Sequence, residues 1–133
     1  MSMRRRILVI DDEEAIRKSF VLALEDSEYH VDTAESGEKG VEMALISEYD
    51  LVFLDLKMPG LDGVATLRQM RRINEDVPVY IITAFHEEFF DQLKSLQEDG
   101  IDFEVFRKPM AIDQIVLITD GILNGPKEIG YAR

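Results

Sequence analysis

Three short apolar runs and one alternating stretch in this chain each lead to residues able to do chemistry. Ile7, Leu8, Val9 and Ile10 lead into Asp11 and Asp12, and Leu51, Val52, Phe53 and Leu54 lead into Asp55. Residues 77–82 lead into Thr83, and residues 101–106 reach Lys108 one position beyond Arg107. Gathered at one place, the carboxylates would repel and raise one another's pKa unless a cation neutralised them. The donors are all oxygens, with no cysteine and no neighbouring histidine pair, so the expected ion is hard: Mg²⁺ keeping several waters, with Mn²⁺ able to substitute. A metal, an ammonium and a hydroxyl around a carboxylate suit a phosphoryl group, whose equatorial charge they would neutralise. Asp55 is then placed to attack as a nucleophile and become an aspartyl phosphate. No glycine-rich cradle follows the first run, which argues against the usual dinucleotide site.

Taken singly, each residue has an ordinary structural reading. Asp12 would cap a helix, Asp11 would be a loop acid, Asp55 would cap the Pro59-Gly60 turn, Thr83 would cap a helix beginning near Phe85, and Lys108 would lie on the surface. Only their shared place behind separate strands stays unexplained, and that depends on the elements. Residues 7–10, 29–33, 51–54, 77–82 and 101–106 read as strands. Helices are expected over 15–24, 37–46, 64–73, 85–98 and 112–123, with Gly100 stopping the fourth. Alternation of this kind requires a parallel sheet with right-handed helical crossovers, a doubly wound α/β domain. Such sheets carry their sites at the carboxyl ends of the strands, where all the residues above fall.

A chain of 133 residues fits one domain and leaves no room for a second folded one. Its apolar runs are too short to cross a bilayer, no signal peptide is visible, and the absence of cysteine fits a cytoplasmic location. A net charge of −12 disfavours direct nucleic-acid binding, and Arg4, Arg5 and Arg6 read as the solvated start of the first strand. The stretch from His86 to Phe90 is similar to half of a zinc-protease motif but lacks the second histidine, and is read as a helix start. His30 is read as structural or exposed.

The stretches ILVIDDEEAIR, LVFLDLKMPGLDG, PVYIITA and FRKPM, in that order, resemble the receiver domain of two-component response regulators over residues 7–123. The resemblance implies a flavodoxin-like (βα)5 three-layer sandwich with strand order 2-1-3-4-5, a receiver domain over 1–124, and a tail or linker over 125–133. It implies that Asp55 accepts a phosphoryl group from a phosphohistidine on a histidine kinase or phosphotransfer protein, or from a small acyl phosphate. Asp11 and Asp12 would hold Mg²⁺ with Asp55 and the backbone carbonyl of Lys57, while Thr83 and Lys108 grip the phosphoryl oxygens. The domain would catalyse this transfer and its own slow dephosphorylation, and would signal to a downstream effector or output domain. By the same analogy Lys57 and Phe85 tune the lifetime of the phosphoryl group, Phe85 by hindering water.

One position departs from the family pattern: the usual aromatic three residues before the lysine is Val105. Phe103 and Phe106 are expected on the opposite face from Val105. The last helix carries more apolar residues than one buried face can hold, Ile112, Leu117 and Ile118 among them, and Phe90 adds to that side. The last two helices and last strand therefore make a candidate homodimer surface. Two other classes of function remain: a phosphate-independent scaffold of the same fold, and a phosphohydrolase of small metabolites. The second is disfavoured because a second catalytic Asp is usual two residues after the nucleophile, where this chain has Lys57.

Overall fold

A computed structural model describes residues 4–84 and 86–125. Five strands, β1 (Arg6–Ile10), β2 (His30–Ala34), β3 (Leu51–Leu54), β4 (Val79–Thr83) and β5 (Glu104–Arg107), form one parallel sheet of order β2-β1-β3-β4-β5. The helices between and after them are α1 (Glu14–Leu24), α2 (Gly37–Ile46), α3 (Gly63–Ile73), α4 (Phe90–Glu98) and α5 (Ile112–Leu123), with a 3-10 turn, His86–Phe89, ahead of α4.

Strand alternation divides the core in two. Leu8, Ile10, Val52, Leu54, Val79 and Ile81 pack on one face with Leu67 and Met70 of α3 and Leu93 and Leu96 of α4. Ile7, Val9, Leu51, Phe53 and Ile82 pack on the other with Phe20 and Leu24 of α1 and Ile115 and Leu123 of α5. The central strand β3 is buried along its whole length, as a strand covered on both faces must be. An aromatic line crosses the α1/α5 side: Phe20 meets Phe53 at 4.8 Å between ring centres, and Tyr80 stacks on Phe106 at 5.6 Å.

Several expected boundaries shift, each with a local cause. β4 begins at Val79 rather than at residue 77, because Pro78 has no N–H to give the ladder. β5 begins at Glu104 rather than 101, because Ile101 serves to stop α4: its N–H donates to the Leu96 carbonyl at 3.0 Å while that of Gly100, at φ +78°, donates to Gln97 at 3.0 Å. This pair of bonds is the Schellman stop that the glycine's left-handed conformation permits. The expected single helix over 85–98 is instead a 3-10 turn running into α4, whose N-cap Phe89 offers no side-chain bond.

The arginines at the start of β1 are not merely solvated. Arg4 donates to the carbonyls of Glu28 and Tyr29 at 3.1 and 2.9 Å, and Arg5 to that of Leu123 at 3.0 Å. Arg6 pairs with Asp32 at 3.1 Å and lies over the Tyr49 ring. Together they tie the first strand to its neighbour and to the end of α5. His30, half-exposed, joins the same group through Asp32 at 2.9 Å. Phe85 and residues 126–133 lie outside the described residues, and with them the expected lifetime role of Phe85 and most of the expected tail.

Candidate functional site

The ladder does not end where the strands do. The Asp11 N–H donates to the Ala34 carbonyl at 3.1 Å, and the Asp55 N–H to that of Ile10 at 2.9 Å. These two bonds hold the first residues past β1 and β3 side by side at the carboxyl edge of the sheet. The chain then turns through Pro59 and Gly60, whose φ of +75° is the left-handed region that glycine enters without strain. It returns so closely that a Cβ on Gly63 would stand 2.2 Å from the Asp55 carbonyl oxygen. Asp62 caps α3 by accepting from the Ala65 N–H at 2.9 Å, and Gly63 donates to Leu56 at 2.8 Å. Asp55 is thereby clamped between β1 and the first turn of α3.

Carboxylate oxygens of Asp11, Asp12 and Asp55 lie within 4.8 Å of one another, the first and last buried and Asp12 open to solvent. The Lys108 ammonium enters this group from the end of β5, 2.9 Å from Asp11, 2.8 Å from Glu13 and 3.5 Å from Asp55. The backbone N–H of Lys108 donates to the Thr83 carbonyl at 3.1 Å, so the ends of β4 and β5 are tied at the same edge. Burial, and then the charge of Asp11, push the Asp55 carboxyl up from 3.8 to about 6, against the opposing pull of Lys108. Burial also raises Asp11, although Lys108 and the Glu13 N–H draw it back. For Lys108 burial acts downward, but the bonds to Glu13 and Asp11 outweigh it and raise the ammonium's pKa.

Of the residues singled out in the sequence, Asp11, Asp12, Asp55 and Lys108 come together. Thr83 is fully buried at the same edge. The Lys57 side chain points outward, its ammonium 3.4 Å from Glu88. The helix-capping reading of Asp12 does not hold: the N-cap of α1 is Glu13 without a side-chain bond, and Asp11 accepts from the Glu13 N–H at 2.9 Å. Thr83 belongs to β4.

Sequence reasoning passed over two participants. Glu13 shares Lys108, and Arg17 donates to the Asp11 carbonyl at 2.8 Å. An acid directly after Asp12 and an arginine one turn into α1 were visible, but their partners were not. Val105 packs on the α3/α4 side together with Phe103, while Phe106 packs on the α1/α5 side. The expectation that Phe103 faces away from Val105 is therefore wrong, since residues two apart on a strand share a face.

The family description "Response regulator receiver domain" matches residues 7–120, nearly all of the described chain. The chain belongs to this family. Accepting a phosphoryl group is the known role of its receiver domains. Transcriptional regulatory protein ResD of Bacillus subtilis is 34% identical over 126 residues, covering 95% of this chain and 51% of ResD. Response regulator ArlR of Staphylococcus saprophyticus is 35% identical over 111 residues, covering 84% of this chain and 49% of ArlR. This receiver thus spans about half the length of the curated relatives it matches.

Among solved structures, response regulator TrrA of Thermotoga maritima in complex with Mg(2+)-BeF superposes with a TM-score of 0.74 at 31% identity, over 90% of this chain and 99% of that one. Chemotaxis protein CheY4 of Vibrio cholerae has a TM-score of 0.77 at 22% identity, over 91% and 100%, a likeness of fold. Among the described residues of this receiver no helix is long and apolar enough to cross a membrane.

Proposed function

We propose that Asp55 is the phosphoryl acceptor of this receiver, that Asp11, Asp12, Asp55 and the Lys57 carbonyl hold Mg²⁺, and that Lys108 and Thr83 receive the phosphoryl oxygens. The observation that carries this reading is the Lys108 ammonium reaching into a cluster of three convergent carboxylates at the sheet's carboxyl edge. The donor set suits the ion: hard oxygens, two buried and one open, with the Asp55 carboxyl held above its ordinary range by burial and then by the Asp11 charge. When bound, Mg²⁺ supplies charge neutralisation on the transferred group.

The remaining work falls to the chain's own residues. An Asp55 oxygen attacks the phosphorus of a phosphohistidine; the new O–P bond forms as the P–N bond breaks, and its electron pair leaves with the imidazole nitrogen. Lys108, nearly buried, offers its N–H groups where the phosphoryl oxygens arrive. Thr83, at the end of β4, offers a hydroxyl and connects the site to the 3-10 turn and α4 behind it. The donor is a histidine kinase or a histidine phosphotransfer protein. The signal passes to a downstream effector or output domain, and the setting is the cytoplasm. The complex of TrrA with Mg(2+)-BeF supports the same chemistry here, as do relatives named as response regulators.

Calorimetric titration with Mg²⁺ tests the ligand set. Binding is expected near neutral pH, weakening about tenfold per pH unit as pH falls below about 6, because a proton on Asp55 competes with the ion. Asp11→Asn is expected to abolish it. Binding unchanged in Asp11→Asn contradicts the assignment.

A further inference from the structure

The Lys108 ammonium has three protons and three carboxylates around it, and the geometry divides them unevenly. Its two short contacts, at 2.8 and 2.9 Å, go to Glu13 and Asp11; the contact to Asp55 is the longest at 3.5 Å. The three carboxylates differ in what they lose on giving the lysine up. Asp11 and Asp55 are almost wholly buried, so leaving either without a partner is costly. The Glu13 side chain is 60% exposed and can return to water. It stands at the start of α1 with no side-chain capping bond to hold it elsewhere.

We infer that Glu13 is a positioning residue that holds the Lys108 ammonium in the resting protein and must yield it before a phosphoryl group can take its place. The inference rests on the proposed function above, since it concerns the arrival of an anion at Asp55. It concerns the bond between Glu13 and Lys108 rather than the acidity of the site in general. Two variants separate these. Glu13→Gln keeps the length and removes the charge; Glu13→Asp keeps the charge but is one methylene shorter and falls short of the 2.8 Å contact.

The test measures the initial rate of adduct formation with acetyl phosphate and Mg²⁺, and the equilibrium affinity for beryllofluoride in the presence of Mg²⁺. Both variants are expected to load faster than the native protein and to bind beryllofluoride more tightly, by about threefold to tenfold, the scale of a half-exposed charged hydrogen bond. Thermal midpoints, which a merely structural role would lower, should move little. Rates and affinities within twofold of native, or lower, in Glu13→Gln overturn the inference. So does a gain in Glu13→Gln alone, which would be a general field effect. If the native protein itself neither forms an adduct nor binds beryllofluoride, the proposed function falls, and this inference with it.

Discussion

The ionised Asp55 carboxylate is a cost to the fold. The group titrates near 6 in the folded protein against 3.8 in the ordinary state. A carboxyl raised in this way favours folding while protonated. Its contribution is complete below about pH 4 and is lost as pH rises through about 6. Near neutral pH the ionised group therefore costs about 3 kcal/mol at most. Asp55→Asn is accordingly expected to stabilise the metal-free protein by about 1–3 kcal/mol at neutral pH and by little near pH 4, as read from urea unfolding in the presence of a chelator. An Asn variant less stable than native at neutral pH would contradict this account of the site.

At this scale the acids and Lys108 were legible in the sequence because each follows a strand, and strand ends converge in a parallel sheet. Glu13 and Arg17 were not, because nothing local announces a partner 95 residues away or a contact to a backbone carbonyl.

Elements place the site through close approach of backbones. Periodicity located all five strands and all five helices, and α2, β3 and α5 kept their expected limits. The misplaced limits lay where chain ends are shaped by neighbours: a helix stop that takes Ile101 from β5, and a 3-10 turn ahead of α4. The contrast between two glycines tests the argument. A Cβ at Gly63 would press on the Asp55 carbonyl oxygen at 2.2 Å and on the Leu56 Cα at 2.6 Å, while one at Gly100 meets nothing within 4 Å. Gly63→Ala should destabilise by about 1–3 kcal/mol and weaken Mg²⁺ binding, because Asp55 must shift. Gly100→Ala should cost about 1 kcal/mol for its left-handed backbone and leave Mg²⁺ binding unchanged. Equal Mg²⁺ affinities in the two variants would show that α3 does not position the acceptor.

The whole molecule presents two unlike regions, an acidic edge and an apolar surface. Phe90 at 61% exposure, Ile112 at 46% and Leu117 at 74% stand on α4 and α5, as the excess of apolar residues in the last helix suggested. We propose this face, with β5, as the homodimer surface. Equilibrium sedimentation is expected to show a larger dimer fraction with Mg²⁺ and beryllofluoride than without, and Leu117→Glu is expected to suppress it. A monomer in both states would rule the surface out. With Val105 in place of the usual aromatic, we propose that the link between site and surface runs through Thr83 at the end of β4.

The central claim is that Asp55 accepts the phosphoryl group, and intact mass tests it most directly. The native protein and Asp55→Asn are each incubated with acetyl phosphate, with Mg²⁺ and with a chelator. A single phosphoryl adduct on the native protein that requires Mg²⁺ and is missing from Asp55→Asn is the predicted result. An adduct that survives the substitution, or none on the native protein with Mg²⁺, would contradict it.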